Sequence, residues 1–320
     1  MTIVHGLQGL QSIARNAVMS VGNFDGVHLG HMRLLNYGKS HLNDAGELVV
    51  VTFEPHPMSR LRPELAPPRL TPPPMKRALL EKAGVDVLVE LPPTPEVLSI
   101  SARGFFNLLV EDLHVAHLVE GPDFSFGKGR EGNLRNLQAW AEGTTMQVHA
   151  VEELSVALTT LHVVEVRSSL VRWLVAYGRV RDAAICLGRP YTLQGKIVRG
   201  FQRGRQLGMP TANFDCGEQF IPADGVYAGR CTVAGKVYAA GVSIGTLPTF
   251  GETKRQVEAH LLGFDGDLYD QVMQVELLDY LREQIRFPSL EALKSRMWAD
   301  MRRCQALATM DPARAVANVA

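Results

Sequence analysis

The first half of the chain alternates between short apolar runs and amphipathic stretches. Apolar runs rich in β-branched residues occur at 17–21, 47–53, 85–91, 117–121 and 146–152. The stretches between them, such as 103–113 and 133–141, carry apolar residues at helical spacing. Strands that alternate with helices in this way predict an α/β domain with a parallel sheet covered on both faces.

The pattern changes after Gly188. Two helical stretches end at Gly178 and Gly188, and residues 191–280 are rich in glycine and in short alternating strands. Closely spaced strands of this kind predict a small antiparallel β-barrel or sandwich. A terminal helix is expected to begin after a serine N-cap at Ser289 and to pack on that barrel.

Length and charge narrow the possibilities further. At 320 residues the chain exceeds the usual size of one hydrophobic core, so we expect two domains, 1–185 and 186–320. Lysine and arginine together equal aspartate and glutamate at 33 each. This balance argues against a nucleic-acid partner and against a polybasic membrane anchor. The oligomeric state is left open.

The expected location of the protein is the cytoplasm. The first residues lack the long apolar core and the cleavage site of a signal peptide, and no apolar run reaches the length of a membrane span. The cysteines are far apart and include no CxxC pair: Cys186, Cys216, Cys231 and Cys304. We therefore expect free thiols in a reducing compartment.

A proline-rich stretch lies in the first half. Residues 55–74 contain eight prolines, which disfavour a regular helix or a central strand. We expect an exposed, fairly stiff loop. It is either a connector or a flap over a ligand, since long loops beside a site are often functional.

The segment VGNFDGVHLGH, residues 21–31, carries the strongest chemical signal. An apolar run ends at Gly22, and a new amphipathic pattern starts a few residues later. The start of a helix offers unpaired N–H donors and a dipole that favours anions. His28 and His31 are three residues apart and are expected on the same side of the first turn. Two imidazoles beside such donors can stabilise charge on a nucleotide triphosphate.

Other unusual segments also follow predicted strands. They are TFEPHP at 52–57 and GPDFSFGKG at 121–129. Because ligands of parallel sheets bind beyond the carboxyl ends of the strands, these segments are expected at one site with 22–31. In VRSSLVR, 166–172, two serines are expected to cap a helix, and an arginine one turn later can reach phosphate oxygens.

The second half has its own candidate residues. In PTAN, Thr211 and Asn213 alternate along an extended segment and so face one side. A hydroxyl and an amide oxygen pointing together are ligands that Mg²⁺ accepts, usually in company with nucleotide phosphates. Glu258 lies in a strand-like stretch, where a lone glutamate is more often a solvated strand residue.

In order along the chain, these segments resemble the bacterial bifunctional riboflavin kinase/FAD synthetase family. The opening, the TFxPHP segment, the glycine-rich segment and the serine-rich end of its first module correspond here to 22–31, 52–57, 121–129 and 166–172. The resemblance implies a Rossmann-like nucleotidylyltransferase domain, in which His28 and His31 hold ATP phosphates during adenylyl transfer to FMN. The other ATP- or phosphate-binding residues that it implies there are Gly22, Asn23, Phe24, Asp25, Gly26, Asp123, Ser168, Ser169 and Arg172. The flavin-binding residues that it implies are Phe53, Pro55, His56, Pro57 and Phe126.

The second half resembles the riboflavin kinase module of the same family. The matching segments are GRQLGMPTANF at 204–214, GVYA at 225–228, GTLPTF at 245–250 and VEAHLLGFDGDLY at 257–269. The resemblance implies that Thr211 and Asn213 bind Mg-ATP and hold the Mg²⁺, and that Glu258 takes a proton from the terminal ribityl hydroxyl. It also implies that Gly204 and Arg205 lie in a loop over the phosphates.

The expected function is the phosphorylation of riboflavin to FMN, followed by the adenylylation of FMN to FAD and pyrophosphate. ATP is the donor and Mg²⁺ the cofactor in both steps. Other readings stay open. Arg167 stands where the family has a serine, so the chain could be a riboflavin kinase alone. A non-catalytic flavin-binding regulatory module is a second alternative, and a nucleotidylyltransferase for another alcohol phosphate is a third.

Overall fold

Two compact units make up the structure, which is a computed structural model. The residues that it describes are 1–43, 46–200, 208–246 and 255–309. The units divide the chain into Met1–Pro67 with Pro73–Leu154, and Pro68–Pro72 with Ser155–Ala320. Each unit has its own sheet.

The first unit is built on a six-stranded sheet in which all neighbouring strands pair in parallel. Its strands, in chain order, are β1 Thr2–His5, β2 Val18–Val21, β3 Leu48–Phe53, β4 Val87–Leu91, β5 His117–Glu120 and β8 Gln147–Ala150. A separate two-stranded ribbon consists of β6 Ser125–Phe126 and β7 Gly132–Asn133. The spatial order of the main sheet is β1-β4-β3-β2-β5-β8.

Helices flank this sheet. They are α1 Gly6–Leu10, α2 Leu29–Lys39, α3 Met58–Leu61, α4 Pro73–Lys82, α5 Pro95–Leu98, α6 Ala102–Asn107 and α7 Leu134–Ala141, with a π-helical stretch Leu108–Asp112 and 3₁₀ turns Pro63–Leu65 and Lys128–Arg130. Successive residues of β2 alternate between two apolar clusters: Met19 belongs to one and Val18 to the other. The sheet is therefore covered on both faces, which confirms the predicted α/β arrangement.

The second unit is organised around a closed barrel of six antiparallel strands. Two short strands and two helices precede it: β9 Ser155–Ala157, β10 Val163–Glu165, α8 Ser168–Ala176 and α9 Val180–Leu187. The barrel strands and the terminal helix are β11 Tyr191–Val198, β12 Ala212–Asp215, β13 Gly225–Val233, β14 Lys236–Gly245, β15 Gln256–Leu261, β16 Val272–Arg282 and α10 Leu290–Ala308. The strands close in the order β11-β12-β15-β14-β13-β16. The predicted barrel with a terminal helix is confirmed.

Local chemistry explains several boundaries of the second unit. Ala234 and Gly235 link β13 to β14 in a two-residue turn with φ of 47° and 80°, the left-handed backbone that tight hairpins require. The Ser289 side chain accepts a hydrogen bond from the N–H of Ala292 at 3.1 Å and caps α10 as expected. Met301 and Cys304 of α10 are buried on the barrel.

Two local expectations were wrong. The proline-rich stretch contains the short helix α3, and Leu70 and Thr71 are only 1% and 3% exposed. The side chain of Leu70 is apolar, so it can be buried. Its carbonyl accepts hydrogen bonds from Tyr191 Oη and Gln219 Nε2, so this backbone acceptor is paired although it is buried.

The second wrong expectation concerns the start of α8. The extended residue before the helix is Arg167, with φ −137° and ψ 152°, and its side chain makes no capping bond. The serines Ser168 and Ser169 are already helical, so neither is the N-cap.

The compact units and the predicted functional domains divide the chain differently. Residues 155–185, which the sequence assigned to the first domain, belong to the second compact unit. The domains 1–185 and 186–320 stay a prediction about function. All four cysteines are free and buried. Within the described ranges, no helix combines the length and apolar character needed to cross a membrane.

Candidate active site

The three segments that follow β3, β2 and β5 meet at one edge of the parallel sheet. These strands are direct neighbours, and the segments 52–57, 22–31 and 121–129 continue from their carboxyl ends. This is the edge at which parallel sheets bind ligands. The predicted grouping of the three segments is confirmed.

The loop after β2 turns back on the core with an unusual backbone. Phe24, Gly26 and Val27 have φ of 47°, 87° and 39°. Positive φ is energetically costly for an aromatic or β-branched residue. Both Phe24 and Val27 are nevertheless buried, at 1% and 2% exposed. Their side chains are held in the core, while Asn23 is exposed and Asp25 is half-buried. The loop is thus fixed in a conformation that its sequence alone disfavours.

The two histidines form a capping box at the start of α2. The N–H of His31 donates to Nδ1 of His28, and the N–H of His28 donates to Nδ1 of His31, each at 3.3 Å. The rings stack with centroids 3.6 Å apart, which confirms that they share one side of the first turn. An Nδ1 that accepts carries no proton, so in each neutral ring the proton lies on Nε2. Each neutral imidazole therefore carries its N–H donor at Nε2, and His28 is 5% exposed.

A buried lysine connects this loop to the TFEPHP segment. Lys76, on α4, is 3% exposed, and its Nζ lies 3.2 Å from Glu54 Oε2. The same Nζ donates to Thr52 Oγ1 at 3.4 Å and to the carbonyl of Asn23 at 3.5 Å. Thr52 Oγ1 also donates to that carbonyl, at 3.0 Å. Sequence reasoning missed Lys76, because only the fold brings α4 to this edge.

A buried carboxyl lies under the same loop. Glu120, the last residue of β5, is 3% exposed, and the N–H of Val21 donates to its Oε1 at 2.6 Å. Burial raises the pKa of Glu120 well above the usual range, and the charge of Asp123 acts in the same direction. The bond from Val21 lowers the pKa but does not outweigh burial. Sequence reasoning missed Glu120 as well, because an acid that ends an apolar strand gives no distinct signal.

The predicted flavin residues differ in their surroundings. Phe126 is 7% exposed and packs among aromatic rings, with centroids 5.1 Å from Phe105 and 5.5 Å from Phe124. Phe53 is half-buried and packs against the apolar cluster that contains Phe126. His56 is also half-buried, and its Nδ1 accepts a hydrogen bond from the N–H of Met58 at 3.1 Å. Pro55 and Pro57 are also half-buried, and Asp123 is exposed. The packing of Phe126 accounts for its burial without a ligand.

The serine-rich end lies on α8 in the second unit. Arg172 Nε donates to the carbonyl of Pro68 at 2.8 Å. Arg167 forms an exposed ion pair with Glu165 at 3.0 Å. That Ser168, Ser169 and Arg172 contact the phosphates held by the first unit stays a prediction.

The barrel places three polar residues in one row on its outer face. Asn213 on β12 pairs with Glu258 on β15, and Glu258 pairs with Ser243 on β14. Directly opposed residues in antiparallel strands have Cβ atoms about 5 Å apart and point to the same side. Their strand neighbours, such as Phe214 and Val257, are buried inside the barrel. The row joins two residues predicted from different segments.

Further contacts define the surroundings of this row. His260 Nδ1 donates to the carbonyl of Pro210 at 2.8 Å and so ties the PTAN segment to β15. Gln284 Nε2 donates to Ser243 Oγ at 2.9 Å. A Cβ added at Gly200 would lie 2.2 Å from Asn213 Nδ2, so a side chain at this position would displace that amide. The predicted residues Gly204 and Arg205, and the end of GTLPTF, lie outside the described residues.

The side-chain oxygen atoms of Thr211 and Asn213 suit a hard divalent cation. Ala212, between these two residues, is buried. Thr211 and Asn213 are half-buried and lie on the outer face. In the described ranges, no group of three or more His, Cys, Asp or Glu is arranged to hold a metal. One hydroxyl and one amide oxygen are too few for a site made by protein alone, but they fit a cation shared with nucleotide phosphates.

Family comparisons match both units. A family model described as FAD synthetase matches residues 10–162, and one described as riboflavin kinase matches residues 187–308. Among curated relatives, the bifunctional riboflavin kinase/FMN adenylyltransferase of Pseudomonas fluorescens is 37% identical, over 96% of this chain and 98% of its own length. The protein of the same description from Escherichia coli K12 is 34% identical, over 94% of this chain and 96% of its own length.

A solved structure is also similar. It is described as a macrolide-efflux protein from Streptococcus pneumoniae. The match covers 95% of the present chain and 99% of the chain in the solved structure. Its TM-score is 0.81 at 25% sequence identity. This likeness shows a shared fold.

The buried carboxyl under the loop generates a pH prediction. A carboxyl whose pKa rises on folding binds more protons in the native state, so its stabilising contribution is lost as the pH rises above about 4.3, the usual Glu value. Glu120→Gln keeps an oxygen for the N–H of Val21 but removes the buried charge. We expect the variant to gain stability over the wild type as the pH rises from 5 to 8, by about 1.4 kcal/mol for each pH unit over which the carboxyl is protonated in the native state and ionised in the unfolded chain.

Urea unfolding followed by circular dichroism at several pH values measures this difference. Glu96→Gln, at an exposed residue of α5, is the matched control and is expected to follow the wild type. An identical pH dependence in Glu120→Gln and the wild type would show that Glu120 ionises as freely in the native state as in the unfolded chain.

Proposed function

The chain belongs to the bifunctional riboflavin kinase/FMN adenylyltransferase family, and we propose that each of its sites performs one of the two reactions. It is an enzyme that phosphorylates riboflavin with ATP to FMN and adenylylates FMN to FAD and pyrophosphate. The observation that carries this function is the presence of both family models in one chain that aligns over nearly its whole length with bifunctional relatives.

We propose that adenylyl transfer takes place at the edge formed by the segments 22–31, 52–57 and 121–129. A phosphate oxygen of FMN attacks the α-phosphorus of ATP, the bond from that phosphorus to the bridging oxygen breaks, and pyrophosphate leaves with the electron pair. Negative charge develops on the α-phosphate oxygens and on the leaving group. The Nε2–H groups of His28 and His31, beside the start of α2, are donors suited to that charge.

We propose that riboflavin phosphorylation takes place at the outer face of the barrel. Glu258 accepts the proton of the terminal ribityl hydroxyl while that oxygen attacks the γ-phosphorus of ATP, and ADP leaves with the bond pair. Phosphoryl transfer needs in-line positioning and one group that orients the nucleophile. The row Asn213, Glu258 and Ser243 supports this role, because it places the carboxylate beside the residues suited to the nucleotide.

Mg²⁺ is the divalent cation that we propose for both steps. Thr211 and Asn213 would hold it in the barrel together with ATP phosphates, and it would neutralise charge on the transferred group. The buried free thiols and the use of ATP support a cytoplasmic location.

We propose that the adenylyltransferase half is active despite Arg167. Its guanidinium forms an ion pair with Glu165 in which both side chains are exposed, and this pair gives it a partner other than a phosphate. The kinase-only alternative requires that this side chain crowd the site. In a regulatory module without turnover, the carboxylate of Glu258 in the row on the barrel would have no catalytic role.

A time course tests the two-step function. With riboflavin, ATP and Mg²⁺, we expect FMN to appear first and FAD to follow, as measured by chromatography. FMN that accumulates without FAD would favour the kinase-only alternative, and the absence of both products would favour the regulatory module.

His28→Asn separates catalysis from helix capping. Asparagine is a good N-cap and preserves the bond from the N–H of His31, but it removes the Nε2–H donor. We expect FAD formation from supplied FMN to fall about 10²- to 10³-fold, the usual cost of one such donor. The melting temperature and FMN formation from riboflavin are expected to stay at wild-type values. FAD formation at the wild-type rate would remove His28 from the catalytic residues.

Glu258→Gln tests the proposed base. Glutamine keeps the size and polarity of the side chain but cannot take up a proton. We expect FMN formation to fall about 10²- to 10⁴-fold, while FAD formation from supplied FMN is unchanged. Wild-type kinase activity in this variant would show that another group accepts the proton.

A further inference from the structure

Lys76 is the feature of the first unit that the two proposed reactions do not explain. Lys76 is 3% exposed, and its ammonium has three oxygen neighbours, which belong to Glu54, Thr52 and Asn23. A buried ion pair is weak evidence for stability, because desolvation of both charges offsets their attraction. Replacement of a buried ion pair by well-packed apolar residues of similar volume is often neutral or stabilising. The arrangement therefore needs a reason other than the stability of the core.

The first part of that reason is the carbonyl of Asn23. It accepts hydrogen bonds from Thr52 Oγ1 at 3.0 Å and from Lys76 Nζ at 3.5 Å. The next residue, Phe24, has φ of 47°, and Val27 has φ of 39°. Strained backbone of this kind persists only where its surroundings determine it. The two donors fix the position at which the strained turn begins.

The second part is Glu54, at the centre of the TFEPHP segment. Its carboxylate lies 3.2 Å from Lys76 Nζ and is 17% exposed. One ammonium thus holds both the loop after β2 and the segment after β3. These are two of the three segments that form the proposed adenylyl-transfer site.

The helix that carries Lys76 is itself fixed. The neighbouring Arg77 donates two hydrogen bonds to Glu90, at 2.8 and 2.7 Å, and Leu80 is completely buried. Glu90 lies on β4, which pairs with β3. The helix is therefore fixed against the sheet, and the backbone of Lys76 is fixed with it.

We propose that Lys76 is a positioning residue for adenylyl transfer: it sets the distance between the phosphate loop, Gly22–His31, and the TFEPHP segment. The inference rests on the proposed function of the first unit. In-line transfer requires the attacking and leaving oxygens to be held in register, and a displacement of about 1 Å can cost a hundredfold in rate. Lys76 acts through the loop and the segment and need not touch the nucleotide.

Lys76→Met tests this assignment within one chain. We expect kcat for FAD formation from supplied FMN to fall about a hundredfold, with a smaller change in KM for ATP, because orientation is lost more than binding. FMN formation on the barrel is expected to be unchanged and serves as an internal control for folding of the second unit. Lys82→Met, at an exposed lysine of the same helix, is the matched control and is expected to keep both activities.

The double variant Lys76→Met with Glu54→Gln separates positioning from stability. It removes both charges, so no carboxylate is left without its partner, and we expect its melting temperature to return toward the wild-type value. FAD formation is expected to stay low, because neutral side chains do not hold the two segments in place.

The outcomes are distinct. Recovery of FAD formation together with stability would show that Lys76 is merely structural, and wild-type kcat in Lys76→Met would overturn the assignment directly. Absence of FAD formation by the wild-type chain would instead overturn the proposed adenylyltransferase, and the inference with it.

Discussion

The reversal of the chain between β2 and α2 is the constraint on which the first unit depends. The turn must bring the start of α2 back to the edge where β2 ends, and it does so with left-handed backbone at Phe24 and Val27. Each such residue costs about 1–3 kcal/mol. Burial of each side chain returns about 1.5–3 kcal/mol, so strain and burial are of similar size. The hydrogen bonds to the carbonyl of Asn23 then stabilise the backbone conformation of the turn.

The same turn determines what the histidines can do. Because each Nδ1 accepts a backbone N–H, the pair is fixed as two Nε2–H donors in stacked rings. A single pair of side chains thus caps the helix and provides donors for an anion.

Local patterns in the sequence predicted the strands and the cap at Ser289, because each depends on residues close together in the chain. They also grouped the segments after β2, β3 and β5, since parallel strands end at one edge. Lys76 and Glu120 could not be found in this way. Each acts through a partner far away in sequence, and a lysine in a helix or an acid at a strand end has many ordinary explanations. Arg167 was misjudged at the helix start, because the serines after it are stronger cap formers than the residue that holds the cap position.

The two units hold the residues of the two proposed sites in place by different physical means. In the barrel, Asn213, Glu258 and Ser243 are aligned by the strand ladder, with buried residues on either side of each in its strand. A slip of one residue would turn Glu258 into the core and its apolar neighbours outward, so the strand register keeps the carboxylate on the outer face. At the sheet edge, no ladder reaches the loop beyond Gly22, and its order depends on buried charge and side-chain hydrogen bonds. A substitution that leaves the sheet intact can therefore disturb the first site, whereas the barrel row moves only if the barrel does.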